Sequence, residues 1–215
     1  MSNESSEIVL YHNPMSRAQI AHWMIEEVGA PYRIELVRLD KKEQKSAEFL
    51  KLNPMGKLPT IVHRGVVVTE SAGICAYLAD AFPAKQLAPA LDDPRRGTYL
   101  RWLFFAAACI EPAMADKNFP RKDTVPSQLG WGTPDDVLNA VEQAITPGPY
   151  VLGETFSAAD VYLGSQLGWS LMMKWIEPRP RFVEYVTRLQ SRPASKRAAE
   201  QNQALIAKLK AGAES

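Results

Sequence analysis

Tyr11-His12-Asn13-Pro14-Met15-Ser16 places a hydroxyl where a short β-branched run ends and an amphipathic run begins. A helix N-terminus carries partial positive charge and free N–H groups, so a serine there can help hold an anion such as a thiolate. The same residues have a plainer use. Ser16 and Gln19 have capping-box spacing, and a serine before a helix is more often a cap than a catalyst. Leu58-Pro59 stands at the entry to a run of strand formers. A cis proline there would turn the N–H and C=O of the preceding residue outward to pair with an extended peptide, although trans is the commoner state of such bonds. Thr69-Glu70-Ser71 offers a carboxylate to an ammonium, and a hydroxyl with a helix N-terminus to a carboxylate, the two charges of an amino-acid head. Read locally, it is an N-cap serine beside a dipole-friendly glutamate. Lys45 and Lys57 are single cations able to hold a second carboxylate, or simply solvated. His12, His22 and His63 are scattered over turn, helix and strand without ligand spacing, and read as structural or solvent-facing.

These side chains need elements to position them. Residues 7 to 11 form a β-branched and aromatic run stopped by Asn13-Pro14, a buried strand and its turn. From Arg17 to Val28 the apolar positions Ile20, Trp23, Met24 and Val28 recur at helical spacing, and Gly29 supplies the stop. Tyr32 to Leu39 reads as a second strand, which makes a strand-helix-strand unit with parallel strands. Ser46 to Leu52 is a short helix, residues 58 to 69 a hairpin turning at Arg64-Gly65, and Ser71 to Ala81 a third helix. The order fits a compact domain with a mixed sheet. Residues 83 to 93 are proline- and alanine-rich without periodicity and read as a linker. Everything from Pro94 reads as helix: Pro94 to about Asn118, Pro134 to Ile145, Ala158 to Trp175, Arg181 to Gln190 and Pro193 to Lys210. Pro112 should bend the first of these or end it early. The expected domains are thus 1–82 and 94–215.

Composition narrows the function classes. The chain has 215 residues, 46% of them hydrophobic and 23% charged, a composition of folded proteins. Its formal net charge is only +1, so nucleic acid is not the expected partner. Two cysteines, Cys75 and Cys109, lie inside apolar helical runs, the pattern of reduced intracellular thiols and not of a disulfide framework or a metal cluster. The N-terminus lacks a secretory pattern and no apolar run reaches the roughly 18 residues of a membrane span, so a cytoplasmic setting without membrane contact is expected.

In order and spacing the chain resembles the glutathione transferase family along nearly its whole length. The matching stretches are Asn13-Pro14-Met15-Ser16, residues 49 to 60 around Asn53-Pro54-Met55-Gly56-Lys57-Leu58-Pro59-Thr60, Thr69-Glu70-Ser71-Ala72-Gly73-Ile74, and residues 153 to 160 ending Ser157-Ala158-Ala159-Asp160, which look like the family's folding box. The likeness is nearest to serine-type members of the phi, theta and related bacterial groups. It implies an α/β thioredoxin-like N-terminal domain (1–82) that binds glutathione as co-substrate, an all-α helical C-terminal domain (94–215), a homodimer, a detoxification role and no metal. Carried over, it gives Ser16 the glutathione sulfur, Leu58 before a cis Pro59 the cysteinyl backbone, Glu70 and Ser71 the γ-glutamyl head, and Lys45 with Lys57 the glycine carboxylate. Gln44 stands where many relatives have histidine, which leaves the glycine end of the site open. No cysteine lies near the start of the first helix, so thiol-disulfide exchange through the chain's own sulfur is not expected. The electrophile would be hydrophobic and held between the domains by Met15, Trp102, Phe105, Cys109 and Trp169, residues whose helical spacing equally suits a core. The alternative function is a non-catalytic ligand-binding or regulatory interaction module of the same fold.

Overall fold

The computed structural model describes residues 7–120 and 125–211. It begins with β1 (Ile8–His12), α1 (Ala18–Val28) and β2 (Tyr32–Leu36), followed by α2 (Ala47–Leu52), β3 (Thr60–His63), β4 (Val66–Thr69) and α3 (Ser71–Ala81). The sheet order is β2-β1-β3-β4, with β1 parallel to β2 and antiparallel to β3, and β3 antiparallel to β4. This is the expected mixed sheet of a thioredoxin-like domain. The parallel pair needs a crossover, which α1 supplies. The hairpin turn puts Arg64 at φ 51° and Gly65 at φ 74°, the two positive values that match the twist of antiparallel strands. Tyr32 to Leu39 was expected to be strand throughout, but the strand ends at Leu36. Beyond it, Asn13 ties down the next residue by donating its side-chain amide to the Val37 carbonyl.

The core of this region lies on one face of β1: Ile8 and Leu10, which share that face, are fully buried, as are Ile61 of β3 opposite Leu10, Met24 and Ile25 of α1, and Ile74 and Leu78 of α3. Burying such side chains contributes about 1.5 to 3 kcal/mol each.

The remaining helices are α4 (Arg95–Phe105), α5 (Glu111–Asn118), α6 (Pro134–Ile145), α7 (Ala158–Met172), α8 (Pro180–Gln190) and α9 (Pro193–Ala211). The expected long helix from Pro94 to Asn118 is instead two helices joined by a π turn over Ala106–Ile110. Pro112 is the local reason: without an N–H it cannot continue an α-helical ladder, and it takes a place in the first turn of α5. Two starts follow the sequence closely. Thr133 accepts from the Asp136 N–H at 3.1 Å, and at α7 both the N–H and the hydroxyl of Ser157 donate to Asp160, each at 2.9 Å.

Contacts divide the chain into two compact units, Met1–Lys85 with Arg192–Ser215, and Gln86–Ser191. The last helix therefore packs with the first unit, whereas the sequence assigns it to the helical domain. Its inward positions Ala194, Ala198 and Asn202 recur every four residues, a narrow stripe of small side chains that lets α9 lie close along α1. No described helix is long and apolar enough to cross a membrane.

Candidate functional site

The site is assembled by strand register. Tyr11 of β1 pairs with Thr60 of β3, and Thr60 pairs with Thr69 of β4. The segment that follows Tyr11, the residues that precede Thr60 and those that follow Thr69 consequently lie at one end of the sheet. Those are the Ser16 turn, Leu58-Pro59, and Glu70-Ser71.

Two of the connections at this end use the same device. Asn13-Pro14-Met15 and Asn53-Pro54-Met55 each fold so that the asparagine Oδ1 accepts the methionine N–H, at 2.9 and 3.1 Å. The asparagine amides then anchor the turns, Asn13 on the Val37 carbonyl at 2.9 Å and Asn53 on the Lys57 carbonyl at 2.9 Å and the Thr60 hydroxyl at 3.2 Å. Both asparagines are buried. Neither stood out as a site residue in the sequence, although the repeated Asn-Pro-Met tripeptide was a usable signal.

Ser16 is half-buried. Its hydroxyl donates to the Asn13 carbonyl at 2.8 Å and accepts the Ala18 N–H at 3.2 Å, so it caps the first turn of α1. The Ser16-Gln19 capping box does not form: the Gln19 side-chain amide donates to the Pro14 carbonyl, and the Ser16 N–H donates to the Asn13 carbonyl at 3.1 Å instead of to Gln19. The hydroxyl thus stands among the first N–H groups of α1, as an anion-holding role requires. Met15, beside it, is 76% exposed.

The Leu58-Pro59 bond is cis, the less common isomer. Pro59 is buried and Leu58 half-buried. Glu70 is exposed and has φ 63° and ψ 126°. A side chain with a Cβ rarely adopts such a backbone, and holding it there costs about 1 to 3 kcal/mol. The Glu70 carbonyl accepts the Ile74 N–H at 2.8 Å, which starts α3, and Ser71 is buried as its first residue. The strained residue at the sheet end is thus the acidic one.

Lys45 donates to the Met55 carbonyl at 2.8 Å. Gly56 makes this approach possible: at φ 59° it takes a conformation that favours glycine, and a Cβ there would meet the Gln44 carbonyl oxygen at 2.6 Å and Lys45 Nζ at 2.7 Å. Next to Lys45, the side-chain oxygen of Gln44 is buried without a hydrogen-bond partner. Lys57 is exposed, and its backbone carbonyl rather than its ammonium is used by Asn53 and Thr60.

The side chains expected to hold an electrophile divide by exposure. In the second unit Trp102 is buried, its ring 5.0 Å from Phe105 with the Arg101 guanidinium 4.7 Å above it. Phe105 and Cys109 are half-buried, and burial pushes the Cys109 thiol up, away from the thiolate. Trp169 is 38% exposed and packs edge-on to Trp175 at 4.5 Å, and Trp175 in turn meets Phe119. Phe119 and Trp175 stand outside the residues expected to meet an electrophile; an aromatic at a helix end gives no periodic signal. Cys75 is fully buried and its thiol is pushed up to about 12, an inert core residue as expected.

A four-stranded thioredoxin-like sheet, a serine turn, a cis proline and a strained acidic residue at one end of it define the class of protein. Residues 6–80 match the glutathione S-transferase N-terminal domain and residues 130–188 the C-terminal domain of that family. A glutathione S-transferase of Hypomyces subiculosus is 35% identical over 174 residues, covering 72% of this chain and 78% of that protein. Glutathione S-transferase GstA of Escherichia coli O157:H7 is 26% identical over 86% of this chain and 93% of its own length. The solved structure of a glutathione transferase from Methylococcus capsulatus is 31% identical, covers 92% of this chain and 99% of that one, and superposes with a TM-score of 0.77. The chain belongs to the glutathione S-transferase family.

Proposed function

We propose that the protein is a glutathione transferase that holds glutathione as thiolate at the end of its sheet and conjugates it to hydrophobic electrophiles. The observation that carries this reading is the Tyr11-Thr60-Thr69 register, which gathers the Ser16 turn, Leu58-Pro59 and Glu70-Ser71. Support also comes from a Sulfitobacter glutathione transferase homologue, 25% identical with a TM-score of 0.75, solved with bound glutathione.

The assignments follow the chemistry of the tripeptide. Glu70 meets the γ-glutamyl ammonium, while Ser71 and the start of α3 receive its carboxylate. The Leu58 backbone pairs with the cysteinyl backbone as an added strand. Lys45 uses one ammonium proton on Met55, which leaves two for the glycine carboxylate, with Lys57 as a second, exposed cation. Ser16 turns its hydroxyl from the Asn13 carbonyl to the sulfur and exchanges a neutral hydrogen bond for a charge-assisted one.

A free thiol has a pKa near 8.5, and lowering it by about two units takes about 2.7 kcal/mol. A charge-assisted hydrogen bond of about 1.5 to 3 kcal/mol plus the helix N-terminus at about 0.3 to 1 is of that size. The gain in thiolate is at most about thirtyfold, so further acceleration comes from holding the electrophile against sulfur. Met15 on the first unit and Phe105, Cys109 and Trp169 on the second are the side chains read as meeting it, with Trp102 packed against Phe105. A homodimer and a cytoplasmic setting belong to the same reading and rest on the family resemblance.

Retention on immobilised glutathione, followed by conjugation of a general aromatic electrophile, tests the proposal. Ser16→Ala should raise the kinetic pKa of bound glutathione toward that of the free thiol and leave its affinity within about twofold. Binding without turnover across several electrophiles would turn the reading to a ligand carrier, and an unchanged kinetic pKa would return Ser16 to capping alone.

A further inference from the structure

Two histidines that sequence alone leaves without a role meet beneath the Ser16 turn. His12 ends β1 and His22 lies on α1; both are fully buried, with ring centroids 5.2 Å apart. Asn202 of α9, itself buried, places its side-chain oxygen 2.7 Å from His12 Nε2 and 3.3 Å from His22 Nδ1. The outer nitrogen of His22 lies 3.0 Å from the Tyr32 hydroxyl and 3.0 Å from the Gln201 side-chain oxygen. Tyr32 donates to Glu26 at 2.6 Å, and Arg197 of α9 closes on Glu26 at 2.7 Å. Arg192 forms a paired contact with Glu27 at 2.7 and 2.8 Å. The charged and titratable groups around the two imidazoles are therefore Glu26 and Glu27 from α1, Tyr32 from β2, and Arg192 and Arg197 at and beside α9.

The bridged residues bracket the segment that carries Ser16. His12 directly precedes the Asn13-Pro14-Met15-Ser16 turn, and its carbonyl accepts the Val37 N–H at 2.8 Å. Its second ring nitrogen, Nδ1, is buried without a well-formed hydrogen bond, yet the Ala18 backbone lies close enough to favour a proton on the ring. Ala18 is the residue whose N–H donates to Ser16 Oγ, and His22 follows it one helical turn later. One amide thus contacts a ring at each end of the stretch from strand to helix.

A buried asparagine is a poor choice for cohesion alone. α9 otherwise turns alanines inward, and an apolar residue of similar size would avoid the desolvation of an amide. Both rings are held neutral at physiological pH: burial, then the neighbouring His22, pushes His12 down to about 4, and burial lowers His22. A neutral amide suits two neutral imidazoles, and the polar contacts specify geometry where apolar packing would tolerate sliding.

We propose that Asn202 is a positioning residue for the Ser16 turn, acting through His12 and His22. This rests on the reading of Ser16 given above. When α9 is seated, the turn holds the hydroxyl at the place where the glutathione sulfur arrives; when the bridge is lost, the turn is free to shift and the hydroxyl reaches the sulfur less often.

The test compares Asn202→Ala with Arg197→Ala, which loosens α9 from Glu26 and removes no hydrogen bond to either imidazole. Asn202→Ala should raise the kinetic pKa of bound glutathione by about half a unit and lower kcat/KM at neutral pH about threefold, with KM for glutathione little changed. Arg197→Ala should leave the kinetic pKa where it is. Equal shifts in the two variants, or none in folded Asn202→Ala, overturn the proposal. Amide exchange in the unliganded protein separates this from the reading of the site as a whole. Protection at residues 15 to 18 should fall about tenfold in Asn202→Ala and hold in Arg197→Ala, whether or not glutathione is turned over. Unchanged protection there overturns the proposal even if the enzyme is active. If Asn202→Ala does not fold, the wild-type protein answers: protection at residues 15 to 18 should be lost with the same midpoint at which the His12 ring takes up a proton, and loss at a different pH overturns it.

Discussion

Glu70 combines two properties rarely found together, an exposed carboxylate and a backbone at φ 63° and ψ 126°. A glycine would relieve the backbone and an alanine would keep the strain without the charge, so the two substitutions ask different questions. Glu70→Ala should weaken glutathione binding by more than about tenfold, the value of one charge-assisted contact, with little change in stability. Calorimetric titration measures it, and an unaltered affinity removes Glu70 from the site. The residue type was legible in the sequence as a carboxylate before a helix, but its conformation was not. Positive φ at a glutamate is not a propensity of the residue; it is imposed by the pairing of Thr69 with Thr60 on one side and the start of α3 on the other. Lys45 shows the complementary case. Sequence offered a solvated cation or a carboxylate ligand, and the fold gives it a backbone partner at Met55 that only Gly56 leaves room for.

Among the elements, α7 depends most plainly on a single side chain. Asp160 is fully buried and accepts the Val151 N–H, the Ser157 N–H and hydroxyl, and the Tyr185 hydroxyl, all at 2.8 to 2.9 Å. Burial pushes its carboxyl up to about 6 while the surrounding donors pull it back. Asp160→Ala leaves those donors buried and unpaired and should destabilise the second unit by about 3 to 5 kcal/mol, seen as a lower urea midpoint. A loss under about 1 kcal/mol would show that the loop from Val151 to Ser157 finds other partners. The start of this helix was readable from Ser157 and Asp160 because a cap and its third residue are local in sequence. The division of α4 from α5 was only half readable. Pro112 announces an interruption, but whether a helix kinks, stops or widens into a π turn depends on what packs around Ala106 and Ile110, both fully buried.

For the whole molecule, the buried histidines make stability depend on pH. His12 has a folded pKa near 4, below its unfolded value of 6.5, so the unfolded chain binds the proton first as pH falls. Stability from this group is therefore intact above about pH 6.5 and is lost progressively toward pH 4, about 2 kcal/mol by pH 5. His22 is lowered by burial and acts in the same sense. Asp160 acts oppositely, since its raised pKa lets the folded chain take up a proton first between about 6 and 3.8. The contribution of His12 is therefore the difference between wild type and His12→Gln: urea midpoints at pH 7 and pH 5 should drop further in the wild-type protein, and parallel drops would contradict the assignment. Sequence by itself determined what is local: the strand and helix periods, the Asn-Pro turns, the caps, and the order of motifs that marks the family. Each depends on residues within one or two turns of one another. Tertiary structure alone decided the register that gathers the site, the conformation of Glu70 and the placement of α9. The reason is separation along the chain. His12 and Asn202 stand 190 residues apart, and no periodicity links them. Their contact exists because two alanines bring α9 close enough to α1 for one amide to reach both imidazoles.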